Sequence, residues 1–137
     1  MSLYHDLIID HYKNPRNFGV LENPDAVAQE ANASCGDLIE FQIKIKRIQN
    51  SVFSIQNLKW RGVGCAISTA AASLLSEKIQ HSAFSIQYLM SMTDEDMVEM
   101  LGGDISPTRL KCATLSLKAL QKALRNSKHE IRNSKQT

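Results

Sequence analysis

The spacing of apolar residues changes twice along the chain, and the changes predict where its elements fall. SLYHDLIIDHYK (2–13) sets Leu3, Leu7 and Ile8 at helical spacing behind Ser2, which can cap a helix. Asn14-Pro15 closes that helix, because a residue before proline avoids the helical region. A loop with Gly19, Asn23 and Pro24 follows. In LIEFQIKIKR (38–47) the period drops to two: Ile39, Phe41, Ile43 and Ile45 alternate with Glu40, Gln42, Lys44 and Lys46. Strict alternation over this length predicts a half-buried strand. Gln49-Asn50-Ser51 marks a turn, and VFSIQNLKWR (52–61) predicts a second strand. Its apolar phase slips between Phe53/Ile55 and Leu58/Trp60, which predicts a bulge or break near Asn57. A weaker strand over Val27 to Asn32 completes a small antiparallel sheet.

From Cys65 the period becomes helical. CAISTAAASLLSEKI (65–79) turns Ile67, Ala71, Leu74 and Leu75 to one side, and AFSIQYLMSM (83–92) predicts another helix. Thr93 caps DEDMVEML, whose acidic first turn suits the helix dipole, and Gly102-Gly103 stops it. Pro107 precedes a last helix with Leu110, Ala113, Leu117, Leu120 and Leu124 at spacings of three and four. The fold class is therefore α+β: a small antiparallel sheet of about three strands, covered on one face by helices, with an N-terminal helix and a helical C-terminal half.

Composition adds limits. A length of 137 residues with 43% hydrophobic and 22% charged residues describes one soluble globular domain. The formal charge of +2 is unevenly placed. Arg125, Lys128, Arg132 and Lys135 stand against Glu130 alone in residues 125–137, so the body keeps a slight acid excess. No basic face is required there, and nucleic acid is not an expected partner. Residues 1–124 are expected to form the domain. The basic stretch 125–137, apolar only at Ile131, is expected to be a disordered tail. No secretory signal pattern opens the chain, and CAISTAAASLL is too short to span a bilayer. A cytoplasmic location without membrane contact is the expectation.

In a reducing compartment three cysteines do not make a disulfide framework. They are buried hydrophobes, a reactive thiol, or metal ligands. Cys35 and Asp37 flank Gly36 in the loop entering the long strand. Cys65 follows WRGVG, where Gly62 and Gly64 permit a close approach, and opens a helix. Cys112 begins the last helix, one position off its apolar stripe. All three thiols fall at element boundaries rather than mid-element on an apolar phase. A thiol at a helix N-terminus is favoured as thiolate. Three sulfurs and one carboxylate suffice for tetrahedral zinc, and thiolates equally suit an iron–sulfur cluster. An oxygen ligand should make a cluster easier to release. No close CxxC pair supports zinc on spacing alone. His5, His11 and His81 read as surface or packing residues, Trp60 as a sheet residue, and Met90, Met92, Met97 and Met100 as helix packing.

LYHDLIIDHYKNPRNFG, CGD, GVGCAIS and KCATLSLKALQKAL occur in the order found in the U-type iron–sulfur cluster scaffold family (IscU, SufU and the N-terminal domain of NifU), which this chain resembles over residues 3 to 124. The resemblance implies a SufE/NifU-like fold with Cys35, Asp37, Cys65 and Cys112 as ligands of zinc or of a [2Fe-2S] cluster. It implies a cysteine desulfurase and apo-acceptor iron–sulfur proteins as partners. Lys111 stands where the IscU and NifU branches carry histidine, so KCATL fits the SufU branch better. The interval from Cys65 to Cys112 nevertheless lacks the helical insertion usual in SufU. ISPTR (105–109) keeps only Pro107 of the LPPVK chaperone motif, which counts against recognition by an Hsp70-type chaperone.

Two functions follow from the resemblance. As a non-enzymatic scaffold and carrier, the chain accepts persulfide sulfur and assembles and transfers a [2Fe-2S] cluster. As a zinc-dependent sulfur acceptor, it acts as a sulfurtransferase that stimulates the desulfurase. Cys35, in a glycine-flanked loop, is the first candidate sulfur acceptor and Cys112 the second. A purely structural zinc module is the third reading, and it requires chelation to unfold the chain.

Overall fold

The alternating stretch forms the central strand of the sheet in the computed structural model, which describes residues 3–50, 52–82 and 84–136. Side chains are described from residue 5 to residue 127, apart from Ser51 and Ala83. The expected cap Ser2, the turn residue Ser51 and the helix residue Ala83 lie outside the described residues. The sheet has three antiparallel strands in chain order: β1 (Ala26–Asn32), β2 (Asp37–Gln49) and β3 (Val52–Val63). Ile39, Phe41 and Ile43 of β2 are fully buried, and their β3 partners are Gly62, Trp60 and Leu58. The phase slip in β3 is a register shift: Lys44 pairs with Asn57 and Ile45 with Ile55, so Gln56 opposes neither. One inserted residue lets Ile55 and Leu58 both reach the core.

Among the described residues, five α-helices and one short 3₁₀ helix (Pro107–Arg109) complete the fold: α1 (Leu3–Lys13), α2 (Ala66–Gln80), α3 (Ile86–Ser91), α4 (Asp94–Met100) and α5 (Leu110–Gln136). α5 packs over β1 and β2, α2 over β3, and α1 on α2. One face of the sheet is thus covered by helices, with Leu75, Leu117, Leu120 and Leu124 fully or almost fully buried above it. Thr93 caps α4 in a capping box with Asp96. α3 begins later than its apolar pattern, at Ile86, because the Ser85 hydroxyl accepts the Tyr88 N–H at 3.1 Å and fixes the start there. Composition sets a disordered tail from residue 125, whereas α5 continues as helix to Gln136 with Ser127 buried. Propagating an established helix fixes one residue per hydrogen bond, so this element outruns its apolar stripe.

The loop after α1 lies along the edge of β3. Trp60 N–H donates to Asn17 O at 3.1 Å, Gly19 N–H donates to Trp60 O at 2.9 Å, and the Trp60 indole N–H donates to Arg16 O at 2.8 Å. α1 is fastened to α2 by buried polar groups: His11 Nδ1 lies 2.7 Å from Ser73 Oγ, which also accepts the Arg16 N–H at 2.8 Å. Burial first, then the Arg16 charge, hold the His11 imidazole below its ordinary pKa of 6.5. The unfolded chain therefore takes up this proton more readily than the folded one. The His11 contribution is complete above pH 6.5 and shrinks as pH falls from there toward the lower folded value. Urea denaturation of the metal-free protein should show a midpoint that drops across that window. His11→Gln, which cannot titrate, should show a flatter dependence.

Candidate metal centre

The turn joining β1 to β2 carries the first thiol. Cys35 N–H donates to Asn32 O at 3.2 Å, and Gly36 adopts φ +69°, a conformation glycine takes without a Cβ penalty. Cys35 is left exposed just ahead of Asp37, the first residue of β2. Asp37 turns to the helical side of the sheet and is 2% exposed. Its Oδ1 accepts the Cys65 N–H at 3.0 Å, and its Oδ2 stands 4.0 Å from Cys65 Sγ. Both glycines after Trp60 serve this approach. A Cβ on Gly62 would run into Leu38 O, and one on Gly64 would run into Ser68 Oγ and lie 2.7 Å from Asp37 Oδ1.

Cys65 is the N-cap residue of α2. No cap hydrogen bond closes on its side chain, but Ser68 Oγ lies 3.7 Å from the sulfur at the helix's positive end. Burial pushes the Cys65 thiol up, while the Ser68 N–H and hydroxyl, the Cys112 thiol and the Ile67 N–H outweigh it, so its pKa falls below the ordinary value. Cys112, the third residue of α5, is fully buried despite lying off that helix's apolar stripe. Its side chain fills the centre instead of the core. Burial, then Asp37, Cys65 and Cys35, push its thiol up to about 12.

One ligand atom each from Cys35, Asp37 and Cys112 lie within 4.8 Å of one another. Cys65 stands outside this group, at its edge, with its sulfur 4.0 Å from Asp37 Oδ2. Cys35 Sγ and Cys112 Sγ are 3.8 Å apart. Two thiolates bound tetrahedrally at about 2.3 Å stand about 3.8 Å apart, so this pair already has the spacing of metal ligands. Two sulfurs and one carboxylate, with the Cys65 sulfur beside Asp37, are donors of the kind that suit zinc or an iron–sulfur cluster, and a cation is what would ionise Cys112 near neutral pH. Asp37, with one oxygen engaged by Cys65 N–H, keeps the other for the cation.

Two neighbours of the centre escape a reading that looks for thiols and carboxylates. The Arg109 guanidinium lies near the Cys112 thiol, and near Cys65 and Cys35 as well, and these neighbours raise its pKa. Ser68 is the other. Spacing is the signal that could have found them: Arg109 is three residues before Cys112 and Ser68 three after Cys65, each on its cysteine's helical face. Lys111 is exposed at the rim. His11 and Trp60 are buried in the seam between α1, the loop and α2.

Asp37→Ala deletes both the acceptor for Cys65 N–H and a candidate ligand oxygen, whereas Asp37→Asn retains an acceptor oxygen. In urea denaturation of metal-free protein, Asp37→Ala should lose about 1–3 kcal/mol, the cost of orphaning a buried donor, and Asp37→Asn clearly less. Chelator competition should show both variants binding zinc more weakly than wild type.

The sequence matches the family described as the NifU-like N terminal domain over residues 3–134. It is 36% identical to the iron-sulfur cluster assembly scaffold protein IscU of Aquifex aeolicus, across 90% of this chain and 74% of that protein. It is 37% identical to the zinc-dependent sulfurtransferase SufU of Bacillus subtilis, across 90% of each. Among solved structures, a putative iron-sulfur cluster assembly scaffold protein for the SUF system from Fervidobacterium islandicum superposes with a TM-score of 0.70 at 26% identity, covering 90% of this chain and 96% of that one.

Proposed function

Because this chain belongs to the family of NifU-like N-terminal domains, we propose that it is an iron–sulfur cluster assembly scaffold. It accepts sulfur from a cysteine desulfurase, assembles a [2Fe-2S] cluster as cargo, and hands it to apo-acceptor proteins. The observation that carries this reading is the meeting of the Cys35, Asp37 and Cys112 ligand atoms within 4.8 Å, with Cys65 alongside.

The four side chains divide the work by their surroundings. Cys35 is exposed on a turn, so it is the thiol a partner's persulfide can reach. Its thiolate attacks the outer sulfur, the S–S bond breaks, and the desulfurase cysteine leaves as thiolate with no net redox change. Reducing that sulfur to sulfide consumes an electron pair from an external donor. Cys112, 3.8 Å away, is the second acceptor in line. Cys65 holds its sulfur at the N-terminus of α2. Asp37 supplies a hard oxygen among soft sulfurs, which keeps the cargo releasable. No described helix is long and apolar enough to cross a membrane, and this chemistry belongs in the cytoplasm, where thiols stay reduced.

One observation favours a second reading, a zinc-dependent sulfur acceptor. Lys111, exposed beside Cys112, cannot serve as a ligand while protonated, which leaves the three thiols and Asp37 as a closed zinc set. Metal analysis of anaerobically purified protein separates the two. The scaffold should develop visible charge-transfer absorption with iron, cysteine and the desulfurase, and should lose it in Cys35→Ser. Tightly held zinc, no such absorption and faster desulfurase turnover would move the assignment to the sulfur acceptor.

A further inference from the structure

α5 contains a hydroxyl that breaks the pattern of its neighbours. In the described helices, Ser68, Ser76, Thr114 and Ser127 are buried, and each donates to a carbonyl one turn back: to Cys65 O at 3.1 Å, Ser73 O at 2.8 Å, Leu110 O at 3.1 Å and Leu124 O at 2.8 Å. Such back-bonding is the ordinary resting place of a hydroxyl inside a helix. Ser116 is 0% exposed, and among the described residues its Oγ is the buried side-chain oxygen without a hydrogen-bond partner. An orphaned buried hydroxyl is a cost that alanine would remove.

Ser116 lies four residues beyond Cys112, hence on the same face of α5 and one turn deeper. Helical side chains lean toward the helix N-terminus, so a side chain at this position leans back over the turn that carries Cys112. On the opposite wall, Ser68 lies three residues beyond Cys65 in α2; its Oγ accepts from the Cys65 thiol at 3.7 Å while its own hydrogen goes to Cys65 O. Each helix that delivers a thiol to the centre thus places a buried serine one turn behind it.

We propose that the Ser116 hydroxyl is a positioning donor to the Cys112 sulfur when that sulfur holds a metal ion. This rests on the metal-centre reading above and deepens it. A metal-bound thiolate is a strong acceptor with spare lone pairs, and a donor behind it fixes its direction and tunes its bond to the metal. The hydroxyl is then partnered in the loaded protein and orphaned only in the metal-free one, which accounts for its burial without a bond.

The test uses the full chain, with Ser116→Ala beside a control, Thr114→Ala, which removes a hydroxyl partnered on the same helix. Metal-free Ser116→Ala should melt at or above the wild-type temperature, while Thr114→Ala melts below it. Zinc affinity, read by competition with a chromophoric chelator, should weaken about tenfold in Ser116→Ala and stay near wild type in Thr114→Ala. Cobalt(II) substituted for zinc should give a shifted thiolate charge-transfer band in Ser116→Ala alone. Wild-type zinc affinity and an unshifted cobalt band in Ser116→Ala would overturn the inference, as would a metal-free melting loss matching that of Thr114→Ala. If wild type itself binds neither zinc nor cobalt, the metal-centre reading falls and takes this inference with it.

Discussion

The bond on which the centre depends is the one from Cys65 N–H to Asp37 Oδ1. It ties the first residue of β2 to the N-cap of α2, two points far apart in sequence. Through it the turn carrying Cys35 and the helix carrying Cys65 become one rigid unit, against which α5 sets Cys112. The approach is close enough that Gly64 has no room for a side chain. Asp37 therefore has two tasks: one oxygen builds the wall and the other faces the thiols. Asp37 is 2% exposed, and the bond from Cys65 N–H to one of its oxygens turns the other toward the thiols.

Electrostatics then separate thiols that the sequence writes identically. Cys65, at the positive end of α2, is biased toward thiolate, while Cys112, buried against Asp37 and two other thiols, is biased strongly against it. Gathering three sulfurs and a carboxylate in one place builds up negative charge that the fold alone does not neutralise. Arg109 compensates from the rim, and a bound cation completes the balance. The same features that make the metal-free centre reluctant to ionise make it receptive to a metal.

Much of the fold was legible because it follows from periodicity. The alternation of Ile39, Phe41, Ile43 and Ile45, the slip near Asn57, the Thr93 cap and the leucine stripe from Leu110 to Leu124 all report local rules: a side chain in or out, a donor satisfied or not. What local rules did not supply was extent. Nothing in the composition of residues 125–136 announces helix, because propagation from an anchored helix depends on what precedes it. Nor does the sequence near Ile86 reveal that the Ser85 hydroxyl, and not the apolar run, sets the start of α3.

For the centre, sequence by itself determined which residues could act: three thiols and Asp37 at element boundaries, beside glycines and helix starts, in motifs shared with a known family. That much is chemistry plus short-range geometry. Only the tertiary structure decided that Cys35 and Cys112 stand at ligand spacing, that one oxygen of Asp37 is spent on Cys65, that Cys112 is buried and Cys35 exposed, and that Arg109 lies beside the thiols. The reason is physical. Distances between side chains on different elements are set by how a sheet and two helices pack, and packing is a property of the whole chain rather than of any stretch of it.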